Sequence, residues 1–343
     1  MTDIQKRFKM VLDDTVKEWK NHENVKGIFV YGSFAKGTAT ANSDLDIGII
    51  WDAGEAPVRL MSTHKEVLID MAFMTVGEIE DVLNYKTEDV LKISEAVNRL
   101  RSSRILFDTD DLLKRWQKKA MEYSWSDTVI NKMKELALNT LTLAKTYASR
   151  DDFASAIYEM REGLYQFGRV IVMANDIFTV LKPAEVLTEV RMLNPIAYQL
   201  FLRTYKLKGM DEPRLLKVLE DLREWLERLE KHLAETEDHG QLSQVTRLLA
   251  QAQRQYYGSL GLTYGSDYEL AVLEMREATS TLGKAIVALK GDTISDDTDF
   301  IGRLRDTEET FFHDILVEHG AYDIQPSEIS RIINEVEFLI RRV

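Results

Sequence analysis

The sequence predicts an α+β protein, with a mixed-sheet head over residues 1–122 followed by two duplicated all-α helical bundles, 123–236 and 237–343. Three observations lead there. Short β-rich runs alternate with helical periodicity in the first third, the strand signal stops near residue 125, and the helical remainder repeats itself.

In the head, Ile4, Phe8, Val11, Leu12, Val16 and Trp19 recur at helical spacing and predict a first helix. A β-rich run from Val25 to Tyr31 follows and ends in Gly32-Ser33. Leu45 to Trp51 is apolar apart from Asp46, and Glu66 to Thr75 is apolar apart from Asp70, so both read as buried strands interrupted by one acid. Helical stretches around 76–84 and 88–100 precede a last strand, Arg104 to Phe107. Asp108, Asp110 and Asp111 then suit a helix start, where backbone N–H groups lack partners.

Beyond residue 125, Val129, Ile130, Met133, Leu136, Ala137, Leu141 and Ala144 keep spacings of three and four. Residues 152–162, running from Asp152 to Glu162, match Asp267 to Glu277 at an offset of 115, sharing Glu-Met-Arg-Glu. Gly168 and Gly283 obey the same offset. The polar stretch 234–240 sits between the copies as a linker. Glu159 and Glu162 both recur, at 274 and 277, which favours a structural role for the motif, such as ion pairs with arginines.

Composition narrows the partners. The chain of 343 residues has no cysteine, which excludes disulfides and thiolate metal sites. Its net charge of −13 comes from 44 Lys and Arg against 57 Asp and Glu, and residues 1–122 carry only −3 of it. Long nucleic acids and anionic membranes are held by cations, so neither is an expected partner. The charged N-terminus lacks an apolar core with a cleavage site, and a cytoplasmic location is expected. Six scattered histidines form no metal-binding spacing.

The chemistry concentrates between Val30 and Ile50. Gly32 lets backbone approach a ligand closely, and the Ser33 hydroxyl with the following N–H groups can hold phosphate oxygens at a helix start. Lys36 adds positive charge nearby. Asp44 and Asp46, two apart on a β-run, point to the same face and suit Mg²⁺, which takes hard oxygen ligands. Asp70, from a neighbouring strand, supplies a third carboxylate, and three acids can hold two divalent ions.

Gly32-Ser33, ten intervening residues and then Asp44-Leu45-Asp46 resemble the signature of the DNA polymerase β superfamily of nucleotidyltransferases. With Phe34-Ala35-Lys36-Gly37 and Ser43, the string is similar to small prokaryotic members such as the minimal and kanamycin-type nucleotidyltransferases. The resemblance covers about the first 110 residues. It implies a mixed sheet, an NTP held at Gly32, Ser33, Lys36 and Ser43, and Asp44, Asp46 and Asp70 as catalytic metal ligands for two Mg²⁺ ions. Lys36 stands where many relatives have arginine, which keeps the charge without the planar fork. Many relatives close the substrate cleft with a helical bundle, so the resemblance implies that the first bundle is a substrate domain. Some place a glutamate there as general base, which makes Glu159 and Glu162 tempting, but their recurrence leaves the base unassigned, or as Asp70.

The implied activity moves a nucleoside monophosphate from NTP to a hydroxyl or phosphate of a small acceptor, releasing pyrophosphate. An acidic bundle fits a cationic acceptor such as an aminoglycoside, although a solvated surface accounts for the same charge. The alternatives are nucleotidylation of a protein, with the helical region as docking surface, and a non-catalytic nucleotide-binding scaffold.

Overall fold

The computed structural model describes residues 3–40, 43–57, 60–235, 239–291 and 299–343. Residues 236–238 of the expected linker lie outside them. The chain divides into two compact units, 1–129 and 130–343.

The first unit runs α1 (Asp3–Trp19), β1 (Val25–Val30), α2 (Gly32–Lys36), β2 (Leu45–Trp51), β3 (Leu60–His64), β4 (Val67–Thr75), α3 (Val76–Leu83), α4 (Val90–Arg101), β5 (Arg104–Asp108) and α5 (Leu112–Glu122). Its five strands lie in the order β3-β4-β2-β1-β5, with β2 parallel to β4 and the other pairs antiparallel, so the sheet is mixed as expected. Four strands follow from the apolar runs. β3 does not, because Leu-Met-Ser-Thr-His is an exposed edge held by pairing with β4, and it has no apolar face to announce it.

Strand alternation sorts the side chains. Ile28, Val30, Leu45, Ile47, Ile49, Ile69 and Met71 join Phe8, Val11 and Leu12 of α1 in one buried cluster. The intervening residues of β2 and β4, Asp46 and Asp70 among them, therefore face the other way. On that side Gly48 gives room to the Phe29 ring, which would lie 2.2 Å from a Cβ. Asp108 turns the end of β5 into the start of α5, its carboxylate accepting from the N–H groups of Leu113 at 2.8 Å and Lys114 at 3.2 Å.

The second unit is helical: α6 (Asp127–Ala148), α7 (Phe153–Met173), α8 (Pro183–Leu193), α9 (Pro195–Thr204), α10 (Glu212–Glu235), α11 (His239–Tyr264), α12 (Tyr268–Leu289) and α13 (Phe300–Thr307). A π-helical segment, Phe311–Val317, then runs into α14 (Glu318–Gly320), before α15 (Pro326–Ile340). The sequence repeat has local structural counterparts. Asp152 and Asp267 cap α7 and α12, accepting from Ser155 and Leu270 N–H groups. Gly168 and Gly283 let a later helix of the same copy approach: a Cβ would lie 2.9 Å from Phe201 at the first and 2.9 Å from Leu304 at the second. Helices of the two copies also pack on each other, α12 against α8 and α15 against α7 and α9. Tyr256 is buried, whereas Tyr257 and Tyr264 stand exposed.

Candidate active site

Parallel pairing of β2 and β4 brings the acids together. Asp46 lies opposite Asp70 in the register, and Asp44 immediately precedes β2. Carboxylate oxygens of Asp44, Asp46 and Asp70 all lie within 4.8 Å of one another. Asp70 is buried, while the other two are partly open to solvent. Three like charges this close repel unless protons or a cation intervene, and a set of hard carboxylate oxygens suits a divalent ion such as Mg²⁺.

The turn after β1 is built around the same carboxylates. Tyr31 N–H donates to the Asp46 carbonyl at 3.1 Å, tying the end of β1 to β2. Gly32 follows with φ +67, in the left-handed region, and a Cβ there would lie 1.9 Å from Asp46 Oδ2. Both conformation and space therefore require glycine at this position. Ser33 lies within α2, its hydroxyl oxygen buried without a hydrogen-bond partner. Its carbonyl accepts from Thr38 N–H at 2.9 Å, and Gly37, with φ +77, ends the short helix. Phe34 anchors α2 by stacking on Phe8, ring centroids 5.6 Å apart.

The other sequence-predicted residues take different positions. Lys36 is exposed at the end of α2, with no ion-pair partner among the described residues. The hydroxyl of Ser43 accepts from Thr40 N–H at 2.9 Å, and Ser43 N–H donates to the Thr40 carbonyl at 3.2 Å. Ser43 thus closes the loop that leads into Asp44.

Two further cations belong to this region. The Arg99 guanidinium lies 5.4 Å from the Tyr31 ring centroid, and that of Arg104 5.3 Å from the Phe34 ring. They flank Gly32-Ser33 from α4 and β5, more than 60 residues away in the chain. Nothing in the motif announces them, because their place depends on β5 pairing with β1, where Val30 lies opposite Arg104.

Glu159 and Glu162 belong to the helical unit. Glu159 is partly buried, and burial, with the neighbouring Glu162 charge, pushes its pKa up to about 7. Glu274, the counterpart of Glu159, has a structural contact: it accepts from Ala184 N–H at 2.9 Å in the first turn of α8. Among the described residues, Arg161, between Glu159 and Glu162, forms none of the expected ion pairs with glutamates and donates instead to backbone carbonyls.

Residues 14–112 match the family model for Polymerase beta, Nucleotidyltransferase. A crystallised nucleotidyltransferase-like protein from Exiguobacterium sibiricum 255-15 is 12% identical to this chain, with 91% of each chain covered and a TM-score of 0.41. No curated protein matches. The matched residues span most of the head and agree with its resemblance to the DNA polymerase β superfamily. Among the described residues, no helix is long and apolar enough to cross a membrane.

Proposed function

We propose that the protein is an Mg²⁺-dependent nucleotidyltransferase that moves a nucleoside monophosphate from NTP to a hydroxyl or phosphate oxygen of a small acceptor, releasing pyrophosphate. The observation that carries this reading is the convergence of Asp44, Asp46 and Asp70 beside a glycine that only glycine can occupy.

The three carboxylates are the residues that would hold the metal, which supplies charge neutralisation on the phosphates and a lowered pKa for the attacking hydroxyl. Ser33, with an unpartnered hydroxyl, and the N–H groups of α2 bind the terminal phosphates, and Gly32 lets them approach. Lys36, Arg99 and Arg104 add positive charge around that turn. The acceptor oxygen attacks the α-phosphorus, the bond from that phosphorus to the bridging oxygen breaks, and pyrophosphate leaves with the electron pair. Asp70, the buried member of the set, takes the acceptor's proton at a carboxylate oxygen.

Incubation of the full chain with α-labelled NTPs, Mg²⁺ and a panel of aminoglycosides and other hydroxylated amines tests the reading. Labelled acceptor that disappears with Asp44→Asn is expected. Label transferred instead to polypeptide in lysate would move the acceptor to protein. If no label is transferred to either, and wild type and Asp44→Asn are equally stabilised by Mg-NTP, the catalytic reading fails.

A further inference from the structure

The two arginines of the repeated Glu-Met-Arg-Glu motif are both buried but differ in their partners. Arg161 donates from Nε to the Thr204 carbonyl at 3.2 Å, from Nη1 to Gly320 at 2.7 Å and from Nη2 to Ala321 at 2.8 Å. Its guanidinium also lies over the rings of Tyr205 and Tyr322. Arg276 is 6% exposed, yet its Nε and Nη1 have no hydrogen-bond partner, and no carboxylate pairs with it among the described residues. Burial, reinforced by the charge of Arg161, lowers its pKa to about 9, so it remains a cation at neutral pH. A buried guanidinium lacking acceptors is costly to a fold, and evolution of a helix core has an easy remedy in leucine or methionine.

Arg276 forms part of the wall of a cavity of about 570 Å³, a size that accommodates a small organic ligand. The charges on that wall can be matched one by one. Lys206 is paired with Asp323 at 2.6 Å, and His319 with Asp221 at 3.2 Å. That leaves Arg276 and Lys208 as cations without carboxylate partners among the described residues, with Glu318 as the remaining acid of the wall. Tyr322, Met210 and Val317 add apolar surface.

We propose that this cavity binds a small phosphate monoester bearing hydroxyl groups, such as a sugar phosphate or nucleoside monophosphate. Arg276 and Lys208 together match the two charges of the phosphate, and guanidinium N–H groups suit its oxygens. Glu318 accepts from a ligand hydroxyl, and the Tyr322 side of the wall covers the apolar face of the sugar or base. The site lies wholly within the helical unit and needs no metal, unlike the NTP site proposed for the head.

Titration calorimetry of the full chain in EDTA separates the sources of the phosphate, using inorganic phosphate, ribose 5-phosphate and AMP as probes. At least one monoester is expected to bind more tightly than inorganic phosphate. Arg276→Met should weaken it by about tenfold or more, and Lys208→Ala by a few-fold, the loss of one charge-assisted contact each. Ser33→Ala and Lys36→Ala, in the head, should leave it unchanged. Arg276→Met is expected to melt no lower than wild type, since it removes an unpartnered charge. If it fails to fold, Arg276→Lys, which keeps the charge but loses the fork, is read instead and should also weaken binding. The proposal is overturned if none of the probes binds by about 5 mM, well above ordinary metabolite affinities. It is equally overturned if affinity is the same in the Arg276 variant, or if Ser33→Ala abolishes binding.

Discussion

The head and the helical unit both bury polar groups, but they arrange them in opposite ways. In the head, like charges are gathered: Asp44, Asp46 and Asp70 share a space less than 5 Å across, at the adjoining interior strands β2 and β4 of an apolar sheet. In the helical unit, buried polar groups are mostly dispersed to backbone partners, Arg161 to three carbonyls, Glu274 to an N–H and Ser259 to the Ala271 carbonyl at 2.8 Å. Gathered like charges destabilise a fold, whereas a buried charge met by backbone dipoles holds segments together. The first arrangement therefore points to chemistry and the second to architecture, and Arg276 is informative because it breaks the second pattern.

The largest expected effect tests the gathered set. Asp46→Asn removes one charge and one ligand, so turnover should fall by about a thousandfold or more, roughly 4 kcal/mol on the barrier. Thermal unfolding of the metal-free protein should show equal or greater stability, because repulsion is relieved. A variant that loses stability and keeps turnover would place Asp46 among the structural groups.

Arg161→Met tests the dispersed set and should act in the reverse sense. It strands three carbonyls, those of Thr204 and Gly320 buried and that of Ala321 partly so, and the expected loss is about 3 kcal/mol of unfolding free energy by urea titration. If Arg161→Met proves neutral and Arg276→Met is the destabilising change, the contrast drawn between the two copies is wrong.

How these features read from sequence follows from their physics. Asp46 and Asp70 were legible because each is a lone acid in an apolar strand, and the fixed spacing from Gly32-Ser33 gave them company. The caps and close approaches marked by the sequence repeat were legible because Asp152, Gly168 and their counterparts sit at helix ends and crossings where few residues serve. β3 was not legible, being an exposed edge. Arg99 and Arg104 depend on tertiary pairing and carry no local mark. The inequality of Arg161 and Arg276 is equally invisible, since identical motifs differ only in what the fold places beside them.

Gly32→Ala ranks next. The added methyl would meet Asp46 Oδ2 at 1.9 Å in a residue with φ +67. The turn must shift away from the carboxylate, so turnover should drop by ten- to a hundredfold, about 1.4–3 kcal/mol, with a smaller change in stability. Equal losses of both would mean that Gly32 serves the sheet rather than the site.

The smallest effect concerns pH and belongs to the helical unit. Burial, and then the Glu162 charge, hold Glu159 above its ordinary 4.5, at about 7, and the same two causes raise Glu277. With folded-state values raised, the native protein keeps protons that the unfolded chain releases. Their contribution is fully present below about 4.5 and is lost as pH rises through about 7 for Glu159 and about 8 for Glu277. Stability should therefore fall across that window, by at most about 1.4 kcal/mol per pH unit for each group. Glu159→Gln, neutral at every pH, should flatten the decline in urea unfolding measured at pH 5, 6 and 7. An unchanged slope would mean that these carboxylates are dispersed to partners as fully as Glu274, and that the helical unit gathers no like charges of its own.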